Sequence, residues 1–136
     1  MRKTLLTAAF VMSGGAVMAQ DTGPSKTDPQ VAFNNNCRQC HSTDEGDHRL
    51  GPSLYEIVGK EAGVQEGYQY SSALESADHT WDEDMLDQWI ENPDQVVSGH
   101  KMKPYPGQDD PEIRAAIIEH LGGGSGEDAE GSEEQS

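Results

Sequence analysis

Two cysteines and a histidine in the stretch NNNCRQCHSTDEGDHRLGP (34–52) are the residues of this chain best suited to chemistry. Cys37 and Cys40 stand three apart, His41 follows directly, and the 136-residue chain has no other cysteine. This spacing is compatible with a redox dithiol, with half of a zinc site, or with covalent attachment of haem. In the last case the two thiols bond to the haem vinyl groups and the imidazole binds the iron.

The zinc and dithiol alternatives find little support elsewhere in the sequence. A structural zinc site needs four ligands, and the remaining histidines show no paired spacing; they are His48, His79, His100 and His120. A redox dithiol typically accompanies a βαβ pattern, with its nucleophilic cysteine at a helix N-terminus. Here the cysteines follow a helical pattern without β alternation, so haem attachment is the favoured interpretation.

If His41 binds an iron from one side, a second ligand must come from elsewhere in the chain. Beyond residue 19 only two methionines remain. Met85 lies on an apolar helical face and suits a core position. Met102 lies in the polar stretch SGHKMKPYPG, where no helical period accounts for an apolar residue. Met102 is favoured over the nearby His100, and a His/Met pair favours a higher reduction potential than two imidazoles.

The first 19 residues are typical of a secretory signal peptide. Arg2 and Lys3 precede an apolar run that extends to about Val17, and small residues lead up to Ala19. The run is short for a membrane-spanning helix and is interrupted by glycines. We expect cleavage after Ala19 and export to a bacterial periplasm. The alternative is an uncleaved anchor that holds the same domain at the membrane.

The chain is strongly acidic and poor in apolar residues. It has 25 Asp and Glu against nine Lys and Arg, a formal net charge of −16 at pH 7, and only 33% hydrophobic residues. Such a surface repels nucleic acid and anionic lipid, and it favours a basic partner or simply solubility. A small domain with so little apolar material needs additional buried surface. A haem would supply it better than a Cys37–Cys40 disulfide, which closes only a tiny loop.

Helix signals divide the chain into a polar leader at 20–28, an all-α domain at 29–121 and an acidic tail at 122–136. The predicted helices run from Pro29 to about Cys40, from Ser71 to Ser76, from a Thr80 capping box to about Asn92, and from Pro111 to Leu121. Three to four helices would thus be joined by long loops, and loops of that length favour a chain that wraps a cofactor. The tail has no apolar residue larger than alanine, and we expect it to be disordered.

Five motifs in order resemble the class I c-type cytochromes, which include mitochondrial cytochrome c and monohaem cytochromes of the bacterial periplasm. The motifs are CRQCH at 37–41, LGPSL at 50–54, GYQYSSAL at 67–74, TWDEDMLDQWIENP at 80–93 and SGHKMK at 98–103. The resemblance spans residues 29–121 and implies a cytochrome c fold around one haem c. It implies thioether attachment at Cys37 and Cys40. It also implies axial ligation of the iron by His41 and Met102.

The resemblance implies roles for other residues around the cofactor. Pro52 matches the proline whose neighbouring carbonyl orients the proximal histidine. Tyr70 and Trp81 match the pair that hydrogen-bonds the inner haem propionate. Lys60 matches a basic residue near that propionate, where it would favour the ionised carboxylate. Trp89 stands where a tyrosine commonly hydrogen-bonds the methionine sulfur.

Two further positions have structural roles in the family. His48 matches a histidine that latches two loops, and Phe33 matches the N-terminal helix residue that packs against the C-terminal helix. The aromatic residue that usually follows the methionine ligand is replaced here. Tyr105 is the candidate to take over this aromatic, as Trp89 is for the tyrosine that hydrogen-bonds the methionine sulfur.

The implied function is electron transfer rather than catalysis: a monomeric periplasmic carrier that moves single electrons between redox partner proteins. Such partners include a membrane cytochrome complex, an oxidase, a reaction centre or a periplasmic dehydrogenase. Two alternatives remain open. One is a cytochrome subunit dedicated to a single periplasmic dehydrogenase, and the other is a haem enzyme or gas sensor with a labile methionine ligand.

Charge distribution predicts how the molecule docks. Residues 75–94 carry eight acids and no Lys or Arg. Four cations are expected near the haem: Arg38, Lys60, Lys101 and Lys103. This asymmetry predicts a strong dipole, with a weakly basic haem face that meets the partner and an acidic back.

Overall fold

The computed structural model describes residues 23–123, which form five α-helices joined by long loops. They are α1 (Pro29–Asn36), α2 (Ser72–Glu75), α3 (Glu83–Glu91), α4 (Pro93–Val96) and α5 (Pro111–Gly122). Within this range the β pairing is limited to one isolated bridge between Glu61 and Thr80, so the all-α class is confirmed. None of these helices is long and apolar enough to cross a membrane. The predicted signal peptide and nearly all of the acidic tail lie outside the described residues.

The first helix begins where the sequence predicts and ends one turn earlier. Asp28 caps α1 by accepting the N–H of Val31 at 3.1 Å. The helix ends at Asn36, because the chain turns at Cys37, whose carbonyl accepts the N–H groups of Cys40 and of the residue after it. The prediction of a helix through Cys40 is therefore wrong, and the two cysteines lie on a turn.

The third helix begins later than its predicted capping box. Asp82 is the N-cap, and its side chain accepts the N–H of Met85 at 2.7 Å. Thr80, the predicted cap, is held in the bridge to Glu61. The predicted start is wrong by two residues because a partner distant in sequence keeps Thr80 out of the helix.

A single helical turn, α4, lies inside a stretch predicted to be loop. α3 ends at Glu91, as the following Asn92-Pro93 pair predicts. Pro93 then serves as the first residue of α4, a position where its missing N–H has no cost. Four residues are too few to show a helical period, so the sequence did not indicate this turn.

The two terminal helices and α3 enclose the core. α1 and α3 both pack against α5, and Phe33 stacks on His120 with ring centroids 4.7 Å apart. This contact confirms the predicted packing of the N-terminal helix on the C-terminal helix. Ile117 and Leu121 of α5 are buried at the centre of the same cluster, and this packing holds both ends of the domain together.

A buried arginine fastens α5 to α3. Arg114 Nε donates to the Asp87 carboxylate at 2.7 Å, and Nη1 donates to the carbonyls of Gln108 and Asp109 at 2.9 and 3.0 Å. The hydrogen bond with Asp87 raises the pKa of Arg114, since it stabilises the charged form. A guanidinium with three acceptors is well satisfied in a buried position, and it fixes the loop that leads into α5.

Candidate cofactor site

The loop that follows the cysteine turn returns to fix the ring of His41. This residue is only 8% exposed, and its Nδ1 lies 2.8 Å from the carbonyl oxygen of Pro52. Because a carbonyl only accepts, Nδ1 carries the proton and Nε2 keeps the lone pair that binds a metal. Burial lowers the pKa of His41, and the bond to Pro52 offsets this only in part. The ring is therefore held neutral, which is the form that ligates iron.

A glycine that the sequence analysis did not single out lies against the same ring. A Cβ added to Gly51 would overlap the His41 imidazole, at 2.6 Å from Nδ1 and 2.8 Å from Nε2. The Gly51 N–H also donates to the carbonyl of Cys40 at 2.7 Å. The available signal was its place directly before Pro52 in LGPSL. Only a residue without a side chain allows this backbone to approach the imidazole so closely.

The two cysteines are free thiols, and Cys40 is the more exposed of the two. Burial and the adjacent Cys40 raise the pKa of Cys37 to about 12. A redox dithiol requires a lowered thiol pKa, so this environment disfavours that alternative. Within residues 23–123 no group of three or more His, Cys, Asp or Glu side chains is gathered that could hold a metal ion.

The loop between α4 and α5 carries the second candidate ligand. Met102 is partly buried and packs against the core cluster, and its N–H donates to Nδ1 of His100 at 2.9 Å. The His100 ring is buried and meets Trp89 edge-on with centroids 5.1 Å apart. Met85 also packs against the core from α3, which agrees with its predicted core position.

Four aromatic rings form a continuous row beside the Met102 loop. His79 contacts Trp81 at 4.5 Å, Trp81 contacts Trp89 at 5.1 Å, and Trp89 contacts His100, all edge-on. Both tryptophans are buried. The structure thus brings together two of the predicted cofactor residues and joins them to the loop of the predicted ligand.

The third predicted aromatic, Tyr70, lies in a separate cluster. It is 8% exposed and meets Tyr68 edge-on at 4.9 Å. Burial raises the pKa of Tyr70, so its hydroxyl stays protonated and can donate a hydrogen bond. That property is what a carboxylate partner requires.

Two lysines lie beside the predicted propionate residues. Lys60 exchanges backbone hydrogen bonds with the Trp81 segment, since its carbonyl accepts the Trp81 N–H at 2.8 Å. Its Nζ donates to the carbonyl of Tyr55 at 2.6 Å. Lys101 Nζ donates to the carbonyl of Tyr70 at 3.3 Å. Both ammonium groups thus bond to neutral oxygens and keep their charge available for an anion.

A buried ring nitrogen tests whether this chain fits a haem. Nε2 of His79 is buried and has no hydrogen-bond partner. Nε2 of His100 also lacks a full hydrogen bond, but it lies 3.2 Å from the Asp94 carboxylate. An unpaired buried polar atom is costly and calls for a partner. Haem carries two propionate carboxylates, so the His79 nitrogen, the free thiols and the oriented His41 fit that cofactor.

Tyr105 is anchored to α3, at the residue that follows Trp89. Its hydroxyl donates to the carbonyl of Ile90 at 2.8 Å, and burial raises the pKa of Tyr105 well above its ordinary value. Trp89, by contrast, lies in direct contact with the ring of His100.

His48 is confirmed as a latch between two loops. Its Nδ1 accepts the N–H of Ser53 at 3.0 Å, and its Nε2 donates to the carbonyl of Glu66 at 2.8 Å. Both ring nitrogens are therefore used by backbone groups. The loop that contains Pro52 is held in place from its outer side.

Known proteins resemble this chain over nearly their whole length. Cytochrome c2 of Rhodopila globiformis is 44% identical over 89 residues, which are 65% of this chain and 83% of that protein. Cytochrome c2 iso-1 of Magnetospirillum fulvum is 38% identical over 95 residues, 69% of this chain and 95% of that protein. The solved structure of cytochrome cH from Methylobacterium extorquens is 37% identical, with a TM-score of 0.63 over 68% of this chain and 92% of that structure.

No protein-family model matches the chain, yet these relatives and the site geometry agree. The resemblance drawn from the five motifs is confirmed by these relatives. The chain belongs to the class I c-type cytochromes, which transfer electrons and are not enzymes, and it carries one covalently attached haem c.

Proposed function

We propose that this cytochrome is a periplasmic one-electron carrier whose iron lies between His41 and Met102. In this proposal Cys37 and Cys40 form the thioether bonds. The observation that carries it is the 2.8 Å hydrogen bond from His41 Nδ1 to the Pro52 carbonyl. That bond leaves Nε2 as the ligating atom and fixes the tautomer, as outer partners of metal-bound histidines generally do.

Met102 supplies the second ligand in this proposal. Its side chain is packed against the core, and its backbone is held by His100. His100 was the competing ligand, but its Nδ1 accepts the Met102 N–H and its Nε2 faces Asp94 at 3.2 Å. When bound, the haem supplies an iron whose charge changes by one electron. Two protein ligands leave no open position for a substrate.

Tyr70, Trp81 and Lys60 are the proposed partners of a haem propionate. Tyr70 keeps its proton, and Lys60 has a carbonyl rather than a carboxylate as its acceptor. A cation and hydroxyl or indole donors around a carboxylate favour its ionised form. Trp89 is proposed to lie on the methionine side of the pocket, where it contacts His100.

The proposed compartment is the bacterial periplasm, with the signal peptide removed after Ala19. The basic start, the apolar run and the small residues before the cut support this. N-terminal sequencing of the periplasmic protein should begin at Gln20. A chain that keeps Met1 and sediments with membranes would contradict cleavage and support an anchor.

The proposed docking surface surrounds cations whose hydrogen-bond acceptors, among residues 23–123, are neutral oxygens. Arg38, Lys60 and Lys101 each donate to a neutral oxygen. Lys103, the fourth cation expected there, is paired with Asp94 at 2.8 Å, so the surface is only weakly basic. The segment that contains α3 carries acids and no Lys or Arg. This asymmetry supports docking to redox partners through the haem side.

Loss of the sixth ligand tests the proposal directly. The oxidised protein should show the absorption band characteristic of methionine bound to ferric haem, and Met102→Ala should abolish it. Met85→Leu is the matched control, since Met85 packs against the core, and it should keep the band. The reduced wild type should bind carbon monoxide slowly and Met102→Ala rapidly, because only the variant has an open position.

Two results would contradict the ligand assignment. One is a band that survives Met102→Ala, and the other is a band that disappears in Met85→Leu while the protein stays folded. Rapid carbon monoxide binding by the reduced wild type would instead favour a haem enzyme or gas sensor.

A further inference from the structure

One carboxylate on α4 reaches both sides of Met102. Asp94 Oδ1 lies 3.2 Å from Nε2 of His100, two residues before the methionine. Both Asp94 oxygens accept from Nζ of Lys103, the residue directly after it, at 2.8 Å. The segment from 100 to 103 is thus tied to α4 at each end, with Met102 between the two ties.

The contact between Asp94 and His100 extends to the backbone of Met102. Nδ1 of His100 accepts the Met102 N–H at 2.9 Å, so the ring proton resides on Nε2, the nitrogen that faces Asp94. The side chain of His100 is 1% exposed and its ring packs on Trp89. Nε2 is not aligned for a full hydrogen bond, so its attraction to Asp94 is chiefly electrostatic.

We propose that His100 and Asp94 are positioning residues that keep Met102 on the iron. The proposal rests on the ligation of Met102 proposed above. Met102 lies in a loop that links α4 to α5. Without such contacts the loop would lose more conformational entropy when the methionine binds the iron. Because the contacts of His100 already order the loop when the chain folds, this entropy is lost during folding. The methionine is therefore oriented before it binds the iron.

The two ties differ in strength. Lys103 and Asp94 are both more than half exposed, and exposed ion pairs contribute little. His100 is buried, and a hydrogen bond removed from a buried site leaves an unsatisfied N–H behind. We therefore expect the effect on methionine ligation to decrease in the order His100, Asp94, Lys103.

The experiment compares the thermal loss of the methionine-to-iron band with the thermal loss of helical circular dichroism in the holoprotein. His100→Leu removes both polar contacts of the ring, with the Met102 N–H and with Asp94, whereas His100→Asn keeps a short acceptor for the Met102 N–H. Asp94→Asn removes the charge that faces His100. Asp78→Asn is the control, since it makes the same change of charge at an exposed carboxyl.

A positioning role predicts that each variant loses the band at a lower temperature than the wild type does. The midpoint temperature of unfolding, measured by dichroism, should decrease less. For His100→Leu we expect the midpoint temperature at which the band is lost to fall by about 5–10 °C more than the midpoint temperature of the dichroism transition. His100→Asn should recover part of that shift, and Asp94→Asn should show a smaller one. Carbon monoxide should bind the reduced His100→Leu protein about fivefold faster, the factor expected from the loss of one hydrogen bond.

The proposal is overturned if band and dichroism shift together in every variant, or if Asp94→Asn behaves like Asp78→Asn. Should His100→Leu not fold, His100→Asn and Asp94→Asn decide by the same comparison. Failure of the ligand assignment has a different signature, since the band would then survive Met102→Ala. A band that depends on Met102 but is insensitive to His100 and Asp94 overturns only the positioning role.

Discussion

The carbonyl oxygen of Pro52 accepts a hydrogen bond from Nδ1 of His41 at 2.8 Å, although the two residues lie eleven positions apart in the chain. Between them the chain leaves the cysteine turn and comes back through Gly51, whose backbone lies against the imidazole. The ring is thus held from two directions, by a hydrogen bond in its plane and by a close backbone contact. Its free nitrogen therefore has a defined direction before any metal binds.

Gly51→Ala should disturb this arrangement. A Cβ at this position would overlap the His41 ring, and overpacking of this kind costs about 1–3 kcal/mol. We expect lower stability in urea and a lower yield of haem-loaded protein. Gly122→Ala is the control, because its Cβ would meet Val58 only at 3.9 Å, and its effect should stay within about 0.5 kcal/mol. Equal effects of the two changes would contradict the role of Gly51.

His48→Leu should destabilise the fold without changing iron ligation. It removes the acceptor of the Ser53 N–H and the donor to the Glu66 carbonyl. Ser53 is completely buried, so an unsatisfied N–H remains, at a cost of about 1–3 kcal/mol. Urea unfolding should report this loss, while the methionine-to-iron band persists at 25 °C.

Tyr68→Phe is the matched control for the latch. It removes one hydrogen bond, from the Tyr68 hydroxyl to the carbonyl of Leu50 at 3.1 Å, in the same pair of loops but at an exposed site. Its effect should be smaller than that of His48→Leu. A loss of the band in His48→Leu under folding conditions would show that the residue does more than join the loops.

Lys101→Glu and Lys103→Glu should both slow electron transfer to an acidic partner. Each change reverses a charge on the proposed docking surface, and the slowing should reach about tenfold at low ionic strength. It should fade as salt screens the charges. Lys26→Glu is the control, because Lys26 pairs with Asp110 at the start of α5. Electron-transfer rates that stay unchanged in both Lys101→Glu and Lys103→Glu would refute a docking dipole.

The Lys26–Asp110 pair should make stability depend on pH at the acid end. The hydrogen bond from Lys26 lowers the pKa of Asp110, so the pair stabilises the folded state above the ordinary Asp pKa of about 3.9. This contribution disappears as the pH falls through the lowered value. The same pair raises the pKa of Lys26, so the alkaline loss begins only above about pH 10.

Urea unfolding of wild type and Lys26→Gln at several pH values tests this. The difference in unfolding free energy should be small, since the pair is largely exposed, and constant from about pH 5 to 9. It should shrink as the pH falls below the ordinary Asp pKa of about 3.9, because protonation of Asp110 removes the pair. A difference that does not shrink at acid pH would mean that Lys26 stabilises the fold through something other than Asp110.

Features encoded within one helical turn could be predicted from the sequence. The caps at Asp28 and Asp110 and the apolar stripe that ends at Leu121 are local, and so is the Cys-x-x-Cys-His spacing that indicated haem. The assignment of Met102 came from its place in a polar loop and from resemblance, those of Tyr70 and Trp81 came from resemblance alone, and the contacts of all three with the haem stay predictions. The latch formed by His48 also came from resemblance, and the structure confirms it.

What only the tertiary structure decided are relationships between residues far apart in the chain. Thr80 leaves its predicted helix because Glu61 bridges it, and α1 stops at Asn36 because the chain turns towards the His41 site. The approach of Gly51 to His41, and the two ties of Asp94 around Met102, likewise have no local signature. They depend on how the loops pack on one another, and a pattern of caps and periods carries no record of that packing.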